Sequence, residues 1–64
     1  MNSMPTIENW FLEKVDGKYL VKGEIYGDDF RKDGTKFKDE VQVIDFVQGY
    51  VDTKLDIYKL GEMK

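Results

Sequence analysis

Between Ile7 and Tyr26 the chain carries two β-rich runs in which apolar side chains recur at every second position, and the runs meet at Asp16-Gly17. That dipeptide tolerates the positive φ angles of a type I′ turn, so the segment predicts a β-hairpin whose register is set by the turn. Counting outward pairs Leu12 with Val21 and Trp10 with Gly23. The period of two then places Trp10, Leu12, Tyr19, Val21 and Ile25 on one face, the expected core face. Glycine weakens a strand unless its missing side chain serves a purpose; opposite Trp10, Gly23 leaves room for the indole ring. Phe11, Leu20 and Tyr26 alternate with Glu13, Lys22 and Glu24 on the other face.

A second hairpin is predicted from Val41 to Leu60, turning near Gln48-Gly49, with Ile44, Phe46, Val51, Leu55 and Ile57 inward. A strict two-residue turn there would set Asp45 opposite Asp52. Like charges facing across strands are destabilising, so a bulge or one-residue shift is expected. A helix over residues 40–48 competes, since Asp39 and Gln42 resemble a capping box and Gly49 could follow its last turn. The β-branched and aromatic residues Val41, Val43, Ile44, Phe46 and Val47 favour the strand. The fold expected is therefore all-β: two antiparallel hairpins in a small curled sheet or barrel. Residues 1–6 are a lead-in, 7–61 the domain and 62–64 a tail.

At 64 residues the chain buries only about 60% of the surface it exposes when unfolded. There is no cysteine and no histidine, which removes disulfides, thiolate zinc sites and imidazole ligands. Stability must come from aromatic packing, self-association or a hard metal held by carboxylates. Both hairpins leave apolar residues outward, Phe11, Leu20 and Tyr26 on one and Val41, Val43, Val47, Tyr50 and Tyr58 on the other. A homodimer with Leu20 or Tyr50 in its contact is expected to cover them. The first ten residues lack the features of a secretory signal and no run approaches a membrane span, so a cytoplasmic protein without a membrane partner is expected.

The residues between the hairpins, 27–40, read as a surface loop ending in a short strand around Phe37, and loops of this length often carry function. Asp29, Asp33, Gly34 and Glu40 coincide with positions of a calcium loop, but Arg31 stands where an oxygen ligand belongs, so no metal site is expected. Arg31, Lys32, Lys36 and Lys38 interleave with Phe30 and Phe37, a combination able to stack bases and neutralise phosphates. Five carboxylates lie among them and the chain carries a net charge of −3, so any nucleic-acid contact has to be local. Asp45, Asp52 and Asp56 read as solubilising charge. With no histidine to activate a hydroxyl and little chain with which to wall a pocket, the sequence reads as non-enzymatic and free of cofactors.

Ile7, Trp10 and Leu12, then Gly23, Ile25 and Gly27, Asp33-Gly34-Thr35, Val51 with Thr53, and Tyr58 with Leu60-Gly61 together resemble a family of small uncharacterised proteins common in bacteriophage and prophage genomes. The resemblance runs along nearly the whole chain through short motifs, and it implies a compact β fold and a phage or mobile-element origin. This chain departs from it twice. Asp28, Asp29, Phe30 and Arg31 stand where the family tends to have His-Pro-Arg-Phe, and Asp39-Glu40 where it tends to have Thr-Ser. The expected function is stoichiometric binding of a host protein, as an inhibitor of a defence or regulatory system. The binding residues expected are Asp28, Asp29, Phe30, Arg31, Lys32, Lys36 and Phe37. Sequestration of a nucleotide-type signal by a small oligomer is the alternative, with backbone amides near Gly27 and Gly34 meeting phosphates, and nucleic-acid binding comes third.

Overall fold

The turn at Asp16-Gly17 forms as its chemistry dictates. In the computed structural model, which describes residues 4–64, both turn residues have positive φ, 52° and 78°, and they join β1 (Thr6–Val15) to β2 (Lys18–Tyr26). Leu12 pairs with Val21, the register the turn predicts. Trp10 does not pair one-to-one with Gly23. The register shifts between Glu8 and Phe11, so that Asn9 and Trp10 together oppose Gly23. Asn9 sits at φ 52°, a left-handed conformation that asparagine tolerates better than most residues, and one that produces a bulge with an extra inward turn of the chain. The extra residue changes the parity of the strand. Ile7 and Trp10, three apart, both point inward and are buried, while Tyr19, assigned to the core by strict alternation, is half exposed.

The second half differs more. The connection after β2 ends at Gly34, and β3 (Thr35–Asp45) runs unbroken through the segment read as loop and through residues 40–45 of the alternative helix. Its first half pairs with β2, Ile25 opposite Thr35 and Leu20 opposite Glu40. Its second half pairs with β4 (Tyr50–Thr53), with a bulge between Val41 and Val43. That bulge and the four-residue turn Phe46–Gly49 place Asp45 opposite Tyr50 and Asp52 opposite Val43, which is how the facing aspartates are avoided. Asp45 caps the turn, accepting hydrogen bonds from the amides of Val47 and Gln48, both 2.9 Å. The predicted second hairpin is thus split again. A turn at Lys54–Asp56, held by Thr53 Oγ1 donating to the Asp56 carbonyl at 2.8 Å, leads into β5 (Ile57–Leu60).

Five strands in an up-and-down meander leave the first and last running the same way, so ring closure requires a parallel pair. Thr6 and Ile7 pair with Lys59 and Leu60 in parallel, closing the barrel in the order β1-β2-β3-β4-β5. Closure extends beyond the strands into both flanks. Pro5 O accepts from Lys59 N at 2.8 Å, and Lys64 N donates to Trp10 O at 2.8 Å. Thr6 and residues 62–64 therefore belong to the fold, not to a lead-in and a tail; Met1 to Ser3 of the lead-in lie outside the described residues.

The core is Ile7, Trp10, Val21, Ile25, Phe37, Val51 and Tyr58, with Leu12, Val41, Ile44 and Leu60 packed against it. Phe46, Leu55 and Ile57, expected inside, are exposed. Tyr58, expected outside, is 3% exposed and packs its ring 4.8 Å from Phe37. A bend at Lys54–Asp56 sets the parity of β5, so the aromatic at position 58 takes the inward place and the aliphatic at 57 the outward one. Trp10 Nε1 donates to Gly61 O at 2.9 Å, satisfying the indole where it enters the apolar interior. Thr53, the one buried polar residue among the described residues, has its hydroxyl bonded as well, and no helix among the described residues is long and apolar enough to cross a membrane.

Candidate functional site

The connection from β2 to β3 occupies residues 27–34, and its own side chains fix its shape. Gly27, at φ 77°, donates its amide to Asp33 Oδ1 at 2.9 Å. Asp28 Oδ1 accepts from the Phe30 amide at 2.8 Å, and Asp28 Oδ2 holds Arg31 Nη1 at 2.9 Å. Short Asp side chains bonding the backbone two residues on are what stiffen such turns. Arg31 lies 5.3 Å above the Phe37 ring, and its guanidinium is held above its ordinary pKa chiefly by the Tyr58 hydroxyl and further by the Asp28 carboxylate, against the opposing effect of burial. The loop thus presents Phe30, 95% exposed, from a backbone whose neighbours on both sides are pinned.

Around Phe30 the barrel end forms an open groove of about 600 Å³ lined by Asp28, Asp29, Phe30 and Arg31 together with Met4, Leu55 and Ile57. Met4, Leu55 and Ile57 are exposed large apolar residues. Leu55 lies in the Lys54–Asp56 turn and Ile57 directly after it, and the turn is tied to β3 through the Leu55 amide donating to Asp39 Oδ2 at 3.0 Å. None of Met4, Leu55 and Ile57 was identified as a binding residue from sequence. Leu55 and Ile57, on either side of Asp56, read equally well as core until the parity of β5 is known.

The seven residues expected to bind do not form one site. Asp28, Asp29, Phe30 and Arg31 line the groove just described. Lys36 and Phe37 line a second groove, also about 600 Å³, on the outer face of β1–β3. Lys32 is exposed and lines neither. Phe37 is 6% exposed, packed between Tyr58 and Arg31, and its ring has no free face on which a base could stack. The backbone amides considered for phosphate contacts are taken. Gly27 N donates to Asp33 and Gly34 N to Ile25 O at 2.8 Å, so a nucleotide cannot use them without breaking the loop. The calcium-like spacing is likewise dispersed, since Glu40 lies in β3 facing Lys18 and Lys54 at 3.7 and 3.9 Å. Among the described residues no three acidic side chains converge in a way that could hold a metal ion. Asp45, Asp52 and Asp56 are spread over the end of β3, β4 and the turn before β5.

No family model, no curated protein and no solved structure matches this chain. The barrel and its two grooves therefore define the class of the protein by themselves: a small all-β barrel with one apolar and aromatic end and one basic face.

Proposed function

We propose that this is a stoichiometric binding protein of phage or prophage type that docks on a host protein through the Phe30 end of the barrel and blocks a defence or regulatory activity. The observation that carries the reading is Phe30 itself. A phenyl ring left almost wholly in water has no packing role, yet the loop beneath it is held by four side-chain hydrogen bonds, three accepted by Asp28 and Asp33 and one donated by Thr35 to Lys32 O. Aromatic and arginine side chains dominate the energetics of protein interfaces when they enter a partner's pocket. A loop already ordered before binding loses little further freedom on docking, so more of the contact energy appears as affinity. Leu55, Ile57 and Met4 around Phe30 supply the apolar surround, and Asp29 and Asp56 the polar rim.

The test compares affinity capture from a bacterial lysate by the natural chain and by Phe30→Asp. The reading requires a single protein recovered in near one-to-one ratio by the natural chain and lost with the variant. Recovery of the same proteins by both would overturn it. A thermal shift with mono-, di- or cyclic nucleotides, in the absence of such a protein, would instead support the reading as a nucleotide-sequestering protein.

A further inference from the structure

The second groove carries chemistry of its own. Strand pairing sets Phe11 opposite Lys22 and Lys22 opposite Lys38, one row across three strands, with Glu24 opposite Lys36 in the next. The C-terminal pairing with Trp10 brings in Lys64, whose ammonium lies 4.9 Å from the centre of the Phe11 ring. Four of the chain's ten basic residues line this groove, against one of its thirteen acidic residues, Glu24. A protein with a net charge of −3 has thus gathered a local excess of positive charge on one face, by bringing together positions 11, 22, 36–38 and 64.

The lysines are also poorly compensated. Like charges directly opposite each other on neighbouring strands are unfavourable, and Lys22 faces Lys38 in that way. Glu13 relieves Lys22 at 2.6 Å, but among the described residues Lys36, Lys38 and Lys64 have no carboxylate within 4.0 Å. Outside the groove three of the six cations have a carboxylate partner among the described residues, Lys18 and Lys54 at Glu40 and Arg31 at Asp28, whereas inside it only Lys22 does.

We propose that the outer face of β1–β3 is a docking surface for single-stranded nucleic acid. The lysines meet phosphates, and a base stacks on Phe11 where Lys64 now lies. The half-buried Phe11 ring at the centre of the cations decides between occupants. A single strand offers unstacked bases and uses both features, a duplex keeps its bases inside, and an acidic protein surface has no use for a stacking platform. This site is separate from the Phe30 groove and does not depend on what docks there.

The experiment measures fluorescence anisotropy of labelled oligothymidylate, oligouridylate and a duplex of equal length with the intact chain, in a salt series starting low. Both single strands bind ahead of the duplex, and the stronger of the two shows whether DNA or RNA is the preferred source. Three phosphate contacts give a slope of log affinity on log salt of about −2. Lys36→Glu combined with Lys38→Glu abolishes binding, and Lys64→Glu weakens it. Phe11→Leu, which keeps an apolar side chain, weakens it about tenfold with the salt slope unchanged. Phe30→Asp binds as the natural chain does. Circular dichroism confirms that each variant is folded. No binding at low salt, undiminished binding by the Lys36/Lys38 variant, or equal affinity for duplex with no effect at Phe11 would each overturn the proposal.

Discussion

Adding one methyl group at Gly23 should force β1 and β2 apart at the bulge. A Cβ built there lies 2.6 Å from Ile7 Cγ2, 2.8 Å from Glu8 O and 3.1 Å from Trp10 Cα, whereas carbon atoms attract best at about 3.5–4.0 Å. Two of the three obstacles are backbone, and the third belongs to a fully buried β-branched residue whose χ1 is restricted. None can withdraw without moving β1 away from β2 at the bulge. Overpacking costs typically 1–3 kcal/mol, and rigid neighbours put Gly23→Ala at about 3 kcal/mol. For a domain of this size each kcal/mol lowers Tm by roughly 4–8 °C, so the loss is roughly 12–24 °C. Gly17→Ala provides the control. Its Cβ meets nothing within 4 Å and only its φ of 78° is unfavourable, a cost of about 1–2 kcal/mol partly offset by a less flexible unfolded chain. Thermal unfolding followed by far-ultraviolet circular dichroism ranks the two. If Gly23→Ala melts no lower than Gly17→Ala, the bulge geometry and the reason for the glycine are both wrong.

Three further outcomes follow from the same structure. Trp10→Phe removes the indole donor from Gly61 O and unfills space in the core, so urea denaturation should show a loss of about 2–4 kcal/mol. Lys38→Glu replaces the repulsion with Lys22 by an attraction and should raise stability by up to about 1 kcal/mol, as read by the urea midpoint; an unchanged or lower midpoint would contradict the register of β2 on β3. Self-association is proposed through a contact containing Leu20 or Tyr50, both half-buried in the single chain. Light scattering should give twice the chain mass, with Leu20→Asp restoring monomer, and a 7.5 kDa particle at high concentration would refute it. The closed barrel already provides some of the cover that an open sheet would have sought from a second chain, so this contact has to rest on surface that remains exposed, such as Val43, Phe46 and Val47.

What the sequence made legible is what local chemistry determines. Asp16-Gly17 forces its turn, the turn forces Leu12 onto Val21, and Gly23 opposite an indole announces a close approach. The strand content follows from β-branched and aromatic composition. The bulge was hidden because its signal is one asparagine in a left-handed conformation, and everything before it then changes face, which is why Ile7 was missed. The joining of the short strand around Phe37 to the strand from Val41 into one β3 was hidden for a different reason. Lys36, Lys38, Asp39 and Glu40 look like loop, yet only Phe37 needs to face the core there, and a strand with one solvated face can be mostly polar. Exposure of Leu55 and Ile57 beside a buried Tyr58 depends on the parity set by a turn, which hydrophobicity does not encode. The loop bearing Phe30 and Arg31 could be chosen from its residues alone. Its apolar surround and the gathering of Lys22, Lys36, Lys38 and Lys64 around Phe11 could not, since they come from strand pairing across distant positions.

The most direct test of the docking reading places a photoreactive phenylalanine analogue at position 30, and in a second variant at position 47, in the chain expressed in a bacterial host. Val47 is 96% exposed and Phe30 95%, so accessibility is matched and only location differs. Irradiation should give one discrete adduct with a host protein from position 30 and none of that mass from position 47. The same adduct from both positions, no adduct from position 30, or an adduct with the mass of two copies of the chain would contradict the assignment of the Phe30 end as the surface that meets a host protein.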